Sequence, residues 1–247
     1  AASDVYKRQK YAENLETYIM FRIAQRVLDL TEELTAKGRA PIKMSIGAPT
    51  SQPPDALKDK FKSLLDEPGI HMYSVPKGET YFRQAVAERM KTRFGVDVCT
   101  NTQVSCLIGS KERLAHMFQG LITPQLEKKD RDIILTPDPG YASYKDAIEV
   151  RGGLSYPISL TPENNYLPDL EETIKSLEAD GYDSNKIKAL SINYPRNPIG
   201  AVAPLSYYSK VIEFARARNI LVISDIAYAD MYFEGEVPPS SILEVPG

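Results

Sequence analysis

Apolar residues recur at helical spacing from Tyr18 to Leu34, and Lys37-Gly38 closes that stretch with a basic last turn and a glycine cap. A short apolar run, Ile42 to Ile46, predicts a strand leading into Gly47-Ala48-Pro49, and Pro53-Pro54 opens a further helix to about Leu65. Met72 to Gly78 follows neither period and reads as an irregular loop. From Glu79 to Phe94, the residues Phe82, Ala85, Val86, Met90 and Phe94 make one apolar stripe among Arg83, Glu88, Arg89, Lys91 and Arg93. That is the pattern of a surface helix with one buried face.

Beyond this point the period alternates. Strands are predicted at Gln103–Ile108, Asp132–Thr136, Leu154–Ile158, Lys188–Asn193 and Ile220–Ser224, with helices starting at Ser110 and Tyr141 and spanning Pro168–Ala179 and Leu205–Arg218. Short apolar strands separated by amphipathic helices specify an α/β fold, a mostly parallel sheet flanked by helices on both faces.

The length of 247 residues and 43% hydrophobic content allow one large domain or two small ones. Lys plus Arg number 30 against 33 Asp plus Glu, a net charge of -3 with the signs interspersed, which leaves no nucleic-acid footprint. Cys99 and Cys106 form no Cys-x-x-Cys and have few histidines for company, so ordinary thiols are expected, with neither metal site nor disulfide framework. No apolar run is long enough for a membrane span and the start is polar, which predicts a cytoplasmic location. Residues 1–17 read as a non-native or disordered lead, because Ala1 to Gln9 show no period or cap.

In a parallel sheet, ligands gather at the carboxyl ends of the strands, where chain reversals and helix starts meet. Gly109-Ser110-Lys111 opens a helix there and is either an ordinary cap or a phosphate cradle. Tyr141, after Pro137-Asp138-Pro139-Gly140, is either a packed helix-start residue or a plate stacked on a flat ring. Asn197-Pro198-Ile199-Gly200 is a turn whose Asn can donate to a ring oxygen. Asp225 ends the apolar run Ile220 to Ile223, at the edge of a buried sheet, where a carboxylate needs a cation or solvent. Tyr228 follows it closely. No Gly-x-Gly-x-x-Gly is present, which disfavours a dinucleotide site.

In this order, Asn193-Tyr194-Pro195-Arg196-Asn197-Pro198-Ile199-Gly200 and Ser224-Asp225-Ile226-Ala227-Tyr228 resemble the fold-type I pyridoxal-phosphate (PLP) aminotransferases of class I/II, from about Tyr18 to Gly247. Phrases such as RFGVDV, PDPGYASYKDA and SDIAYADMYFEGEVPPSSILEVPG are most similar to the LL-diaminopimelate aminotransferase-like and aspartate/alanine-type group. The resemblance implies that Gly109, Ser110 and Lys111 cradle the cofactor phosphate, that Tyr141 stacks on the pyridine, and that Asn197 and Tyr228 bond its ring oxygen. Asp225 pairs with its nitrogen. Gly47 and Asn197 touch the substrate, and Tyr73 reaches the phosphate of a partner subunit in a homodimer. The substrates are an amino acid and a 2-oxo acid, and the Asn197-Pro198 bond is expected to be cis. Arg113 and Ser51-Gln52 depart from the group's usual residues, which bears on substrate choice.

The resemblance divides the chain into an arm with part of a small domain, 18–50, and a cofactor-binding large domain, 51–247, expected to be incomplete. The family's Schiff-base lysine follows the Asp-x-Ala-Tyr segment in a Ser-x-Ser-Lys motif, which does not occur before Gly247. Ser206-Tyr207-Tyr208-Ser209-Lys210 imitates that motif, but it precedes Asp225 and lies on an amphipathic helix, so Lys210 reads as a solvated lysine. No catalytic residue is therefore expected here, and the chain alone is expected to be inactive and poorly stable. Its sheet is expected to lack the strands between Gln103–Ile108 and Ile220–Ser224. A PLP-binding regulatory or vestigial module of the same fold is the alternative, and a carbon–sulfur lyase or decarboxylase is a chemical neighbour.

Overall fold

A computed structural model describes residues 18–45, 47 and 50–246. They fall into two compact units, Glu16–Glu79 and Thr80–Gly247. The first carries helices α1 (Ile19–Ala36) and α2 (Asp55–Leu64), neither of which buries a residue. No strand forms at 42–45, where Ile42 and Met44 are exposed. A lone extended segment has no ladder partner for its amides and carbonyls. Ile46, Ala48, Pro49 and the expected lead at 1–17 lie outside the described residues. Residues 65–79, at the end of this unit, hold neither helix nor strand and are exposed from 65 to 77.

The second unit contains α3 (Thr80–Phe94), α4 (Ser110–Leu121), β1 (Ile133–Asp138), α5 (Ser143–Glu149), β2 (Leu154–Ser159), α6 (Leu170–Ala179), β3 (Ile187–Asn193), α7 (Leu205–Arg218) and β4 (Leu221–Asp225). The strands form one parallel sheet in the order β2-β1-β3-β4. Period-two alternation sends Leu135, Leu190 and Ile192 to one face, where Leu177 of α6 and Tyr208, Val211 and Phe214 of α7 cover them. Ile134, Ala189 and Ile223 point to the other face, under Leu114 and Phe118 of α4 and Tyr144 and Ile148 of α5. The sheet is thus sandwiched between two helical layers, and the elements between 132 and 225 follow the sequence pattern closely.

Two expectations fail in this unit. Residues 103–108 form no strand, and Ile108 is 92% exposed. Among the described residues no strand lies on the side of β4 away from β3, and residues 103–108 pair with no strand. The apolar stripe of α3 is also largely uncovered: Phe82 is 42% exposed and only Phe94 of the five is buried. The segment that follows α3 lies against Arg83 instead, whose guanidinium donates to the Thr100 carbonyl at 2.6 Å and to Asn101 Oδ1 at 3.3 Å. Arg83 and Phe94 are thus the two buried residues of the helix.

Candidate functional site

The register of the sheet places Asn193 of β3 directly beside Asp225 of β4 at the carboxyl ends of the two strands. Paired residues in a parallel ladder share a face, and here the alternation from Ala189 and Ile223 puts both on the α4–α5 side. Asn193 is 2% exposed and uses both ends of its amide. Its Nδ2 donates to the Asp225 carbonyl at 2.9 Å, and its Oδ1 accepts from the Asn197 backbone N–H at 2.9 Å. One buried side chain therefore ties the turn after β3 to the end of β4.

Each Asp225 carboxylate oxygen takes one donor. Oδ1 accepts from the Ala227 N–H at 3.2 Å, and Oδ2 accepts from the Tyr144 hydroxyl at 2.7 Å. Burial, followed by the nearby Asp225 carboxylate, pushes the Tyr144 phenol well above its ordinary 10.0, so it remains a donor to that carboxylate. Tyr141 meets Tyr144 edge to face, with ring centroids 5.6 Å apart and planes at 87°. On the other side of Asn193, the Asn197 Nδ2 donates to the Tyr228 hydroxyl at 3.2 Å. The residues Tyr141, Tyr144, Asp225, Asn193, Asn197 and Tyr228 are thus linked in series across the ends of two strands.

The turns that hold these groups follow from local sequence. Gly140 is required because a Cβ there would run into the Pro137 carbonyl. After β3, the Arg196 N–H donates to the Ala201 carbonyl at 3.0 Å and the Gly200 N–H to the Arg196 carbonyl at 2.7 Å, closing the Asn197 turn on itself. The Asn197-Pro198 bond is cis, as expected. Gly109 stands before α4 at φ +94, a conformation that favours glycine, and Ser110 opens the helix. Gly109, Ser110 and Lys111 are exposed, on a helix whose Leu114 and Phe118 are buried in the same core as Tyr144.

Gly47 and Tyr73 belong to the Glu16–Glu79 unit, where both are exposed. Lys210 is exposed on α7, the helix that covers the sheet face opposite the Asp225 side chain. Asn193 and Tyr144 were not singled out by sequence reasoning. Their signals were nevertheless present: a polar residue at an inward position of the apolar strand β3, and a second tyrosine one turn after Tyr141.

The chain is 37% identical over 238 residues to an LL-diaminopimelate aminotransferase of Desulforudis audaxviator, a match covering 96% of this chain and 56% of the relative. It is 40% identical over 223 residues to the enzyme of that name from Syntrophobacter fumaroxidans, covering 90% and 54%. The chain thus spans about half the length of the curated relatives it matches. Among solved structures, substrate-bound BacF from Bacillus subtilis superposes with a TM-score of 0.81 at 29% identity, covering 95% of this chain and 55% of that one. An alanine aminotransferase from Pyrococcus furiosus gives 0.79 at 28% identity, covering 94% and 55%. The family model for aminotransferase class I and II matches residues 39–245, a stretch that contains every residue of the linked series, and the chain belongs to that family.

Proposed function

We propose that this chain carries the pyridine-ring side of a PLP site in an enzyme that moves an amino group from an amino acid to a 2-oxo acid. The observation that carries the reading is the hydrogen-bonded Asn197–Tyr228 pair standing across Asn193 from the Asp225 carboxylate. One acceptor and two donors suit a flat ring with a protonated nitrogen on one edge and an ionised oxygen on another. When bound, the cofactor supplies a pyridinium that withdraws electrons from the substrate α-carbon.

The roles of the chain's own residues follow. Asp225 holds the proton on the ring nitrogen, and Tyr144 keeps that carboxylate oriented by donating to Oδ2. Asn197 turns its amide donor from the Tyr228 hydroxyl to the ring oxygen, Tyr228 donates to the same oxygen, and Tyr141 covers a ring face. Gly109, Ser110 and Lys111 receive the phosphate at a helix start, where free N–H groups and the helix dipole favour an anion. Gly47 and Asn197 contact the substrate, and Tyr73 serves the phosphate site of a partner subunit in a homodimer. The two relatives above support LL-diaminopimelate as amino donor, and the likeness to solved alanine and aspartate aminotransferases keeps those amino acids as the related choices. Lys210, on the opposite face of the sheet, takes no part, and the chain alone binds cofactor without turnover.

Titrating the chain with PLP and following the cofactor's absorbance tests this. Saturable binding that Asp225→Ala weakens by about 10- to 100-fold, the range for losing a charge-assisted hydrogen bond, is the expected result. Equal affinity for wild type and Asp225→Ala would overturn the reading.

A further inference from the structure

Tyr228 stands at the start of a long loop, Ile226 to Ser240, that contains neither helix nor strand. The apolar side chains in its middle do not anchor it, since Met231, Phe233 and Val237 are 71%, 85% and 87% exposed. The anchor comes from α3. Arg93, whose side chain is only 19% exposed, uses one nitrogen, Nη2, to donate to the Ala229 carbonyl at 3.0 Å and to the Pro239 carbonyl at 2.9 Å. Its Nε faces Asp230 Oδ1 at 3.4 Å, and Arg89 pairs with the other oxygen of that carboxylate. The two ends of the excursion are therefore drawn together on a single guanidinium.

One end of that excursion is the residue after Tyr228. Ala229 is buried, its N–H donates back to the Ile226 carbonyl at 3.0 Å, and its own carbonyl is the one Arg93 holds. The Tyr228 turn is thus fixed from inside by the Ala229 amide and from outside by Arg93. We propose that Arg93 is a positioning residue for Tyr228: by gathering Ala229, Asp230 and Pro239 it sets the Tyr228 hydroxyl within reach of Asn197, and so sets the ring-oxygen side of the site. This rests on the PLP reading above. A lysine cannot take over the role, because its single nitrogen cannot hold the two carbonyls and also supply the separate Nε donor that faces Asp230.

A double-mutant cycle on PLP affinity tests the proposal, using Arg93→Lys, Tyr228→Phe and the pair. If Arg93 acts through the Tyr228 hydroxyl, each single variant weakens PLP binding by about fivefold, one hydrogen bond's worth, and the double variant binds no worse than Tyr228→Phe. Affinity unchanged in Arg93→Lys, or losses that multiply in the double variant, overturns it. Asp230→Asn, which leaves both carbonyl contacts in place, guards against a misfolded Arg93 variant and is expected to weaken binding by less than fivefold. Wild-type chain that fails to bind PLP defeats the parent reading instead, and tyrosine-ring carbon NMR then decides the matter for Arg93. The Tyr228 resonance, assigned with Tyr228→Phe, is expected to shift or broaden in Arg93→Lys, and an unchanged resonance overturns the proposal.

Discussion

The loops after β3 and β4 meet at one hydrogen bond, Asn197 to Tyr228, yet they are held by different means. The β3 loop is fixed almost entirely from within: its backbone closes between Arg196, Gly200 and Ala201, and Asn193 at the strand's end reaches the Asn197 amide. Beneath it, Tyr194 packs edge-on against Tyr207 and Tyr208 at 6.0 and 6.3 Å, and its hydroxyl donates to the Tyr166 carbonyl at 2.6 Å. The β4 loop makes its decisive contact with a residue 136 positions earlier in the chain. A site can thus join one half held by short-range turn chemistry to another held by a distant clamp, and the two halves should fail under different insults.

Alkaline titration should separate them most strongly. Burial pushes the phenols of Tyr144, Tyr194, Tyr207 and Tyr208 above their ordinary 10.0, and three of these lie at or under the β3 loop. The folded chain keeps protons there that the unfolded chain releases at about 10, so their contribution is intact below that pH and is lost as pH rises through the raised values. Urea midpoints measured from about pH 8 to 11 should hold level and then fall steeply, with the tyrosine ultraviolet signal changing in step. A midpoint that stays level while that signal titrates normally would mean these rings are not buried as described.

The next largest effect is expected at the one residue both loops share. Asn193→Ala leaves the Asn197 amide and the Asp225 carbonyl without partners and should cost about 2 kcal/mol in urea unfolding. Asn193→Asp, which replaces the donor with a buried anion facing the Asp225 carbonyl, should cost more than Asn193→Ala. A neutral Asn193→Ala would show that the loops are not coupled through this side chain. The smallest effect is expected at Lys210, exposed on the far helix layer. Lys210→Ala should leave PLP affinity unchanged, and borohydride treatment with PLP should not enrich label at that position. Selective labelling of Lys210 would place the cofactor on the wrong face of the sheet.

The same contrast explains what was legible in the sequence. The helix predicted at Leu205–Arg218 forms with those bounds, and β1 to β4 appear within a residue or two of their apolar runs, because period and turn residues are local signals. Asn197 and Tyr228 lie in turns just beyond strand ends and Asp225 closes β4, so their places in the fold follow from the same local signals. The α3 stripe and the strand at 103–108 misled because burial and pairing are set by whatever covers a segment, not by the segment itself. Arg93 looked like one more surface charge, since nothing near it in sequence hints at Ala229 or Pro239. Asn193 and Tyr144 lay between these cases, with visible patterns whose meaning appeared only once the strand register and the helix layer were known.

The most direct measurement is the nitrogen NMR shift of pyridine-labelled PLP bound to the chain. With Asp225 accepting from the ring, the shift should be that of a protonated pyridinium and should move toward the neutral value in Asp225→Asn. A neutral shift in the wild type, or one indifferent to Asp225→Asn, would contradict the assignment of this carboxylate to the cofactor nitrogen.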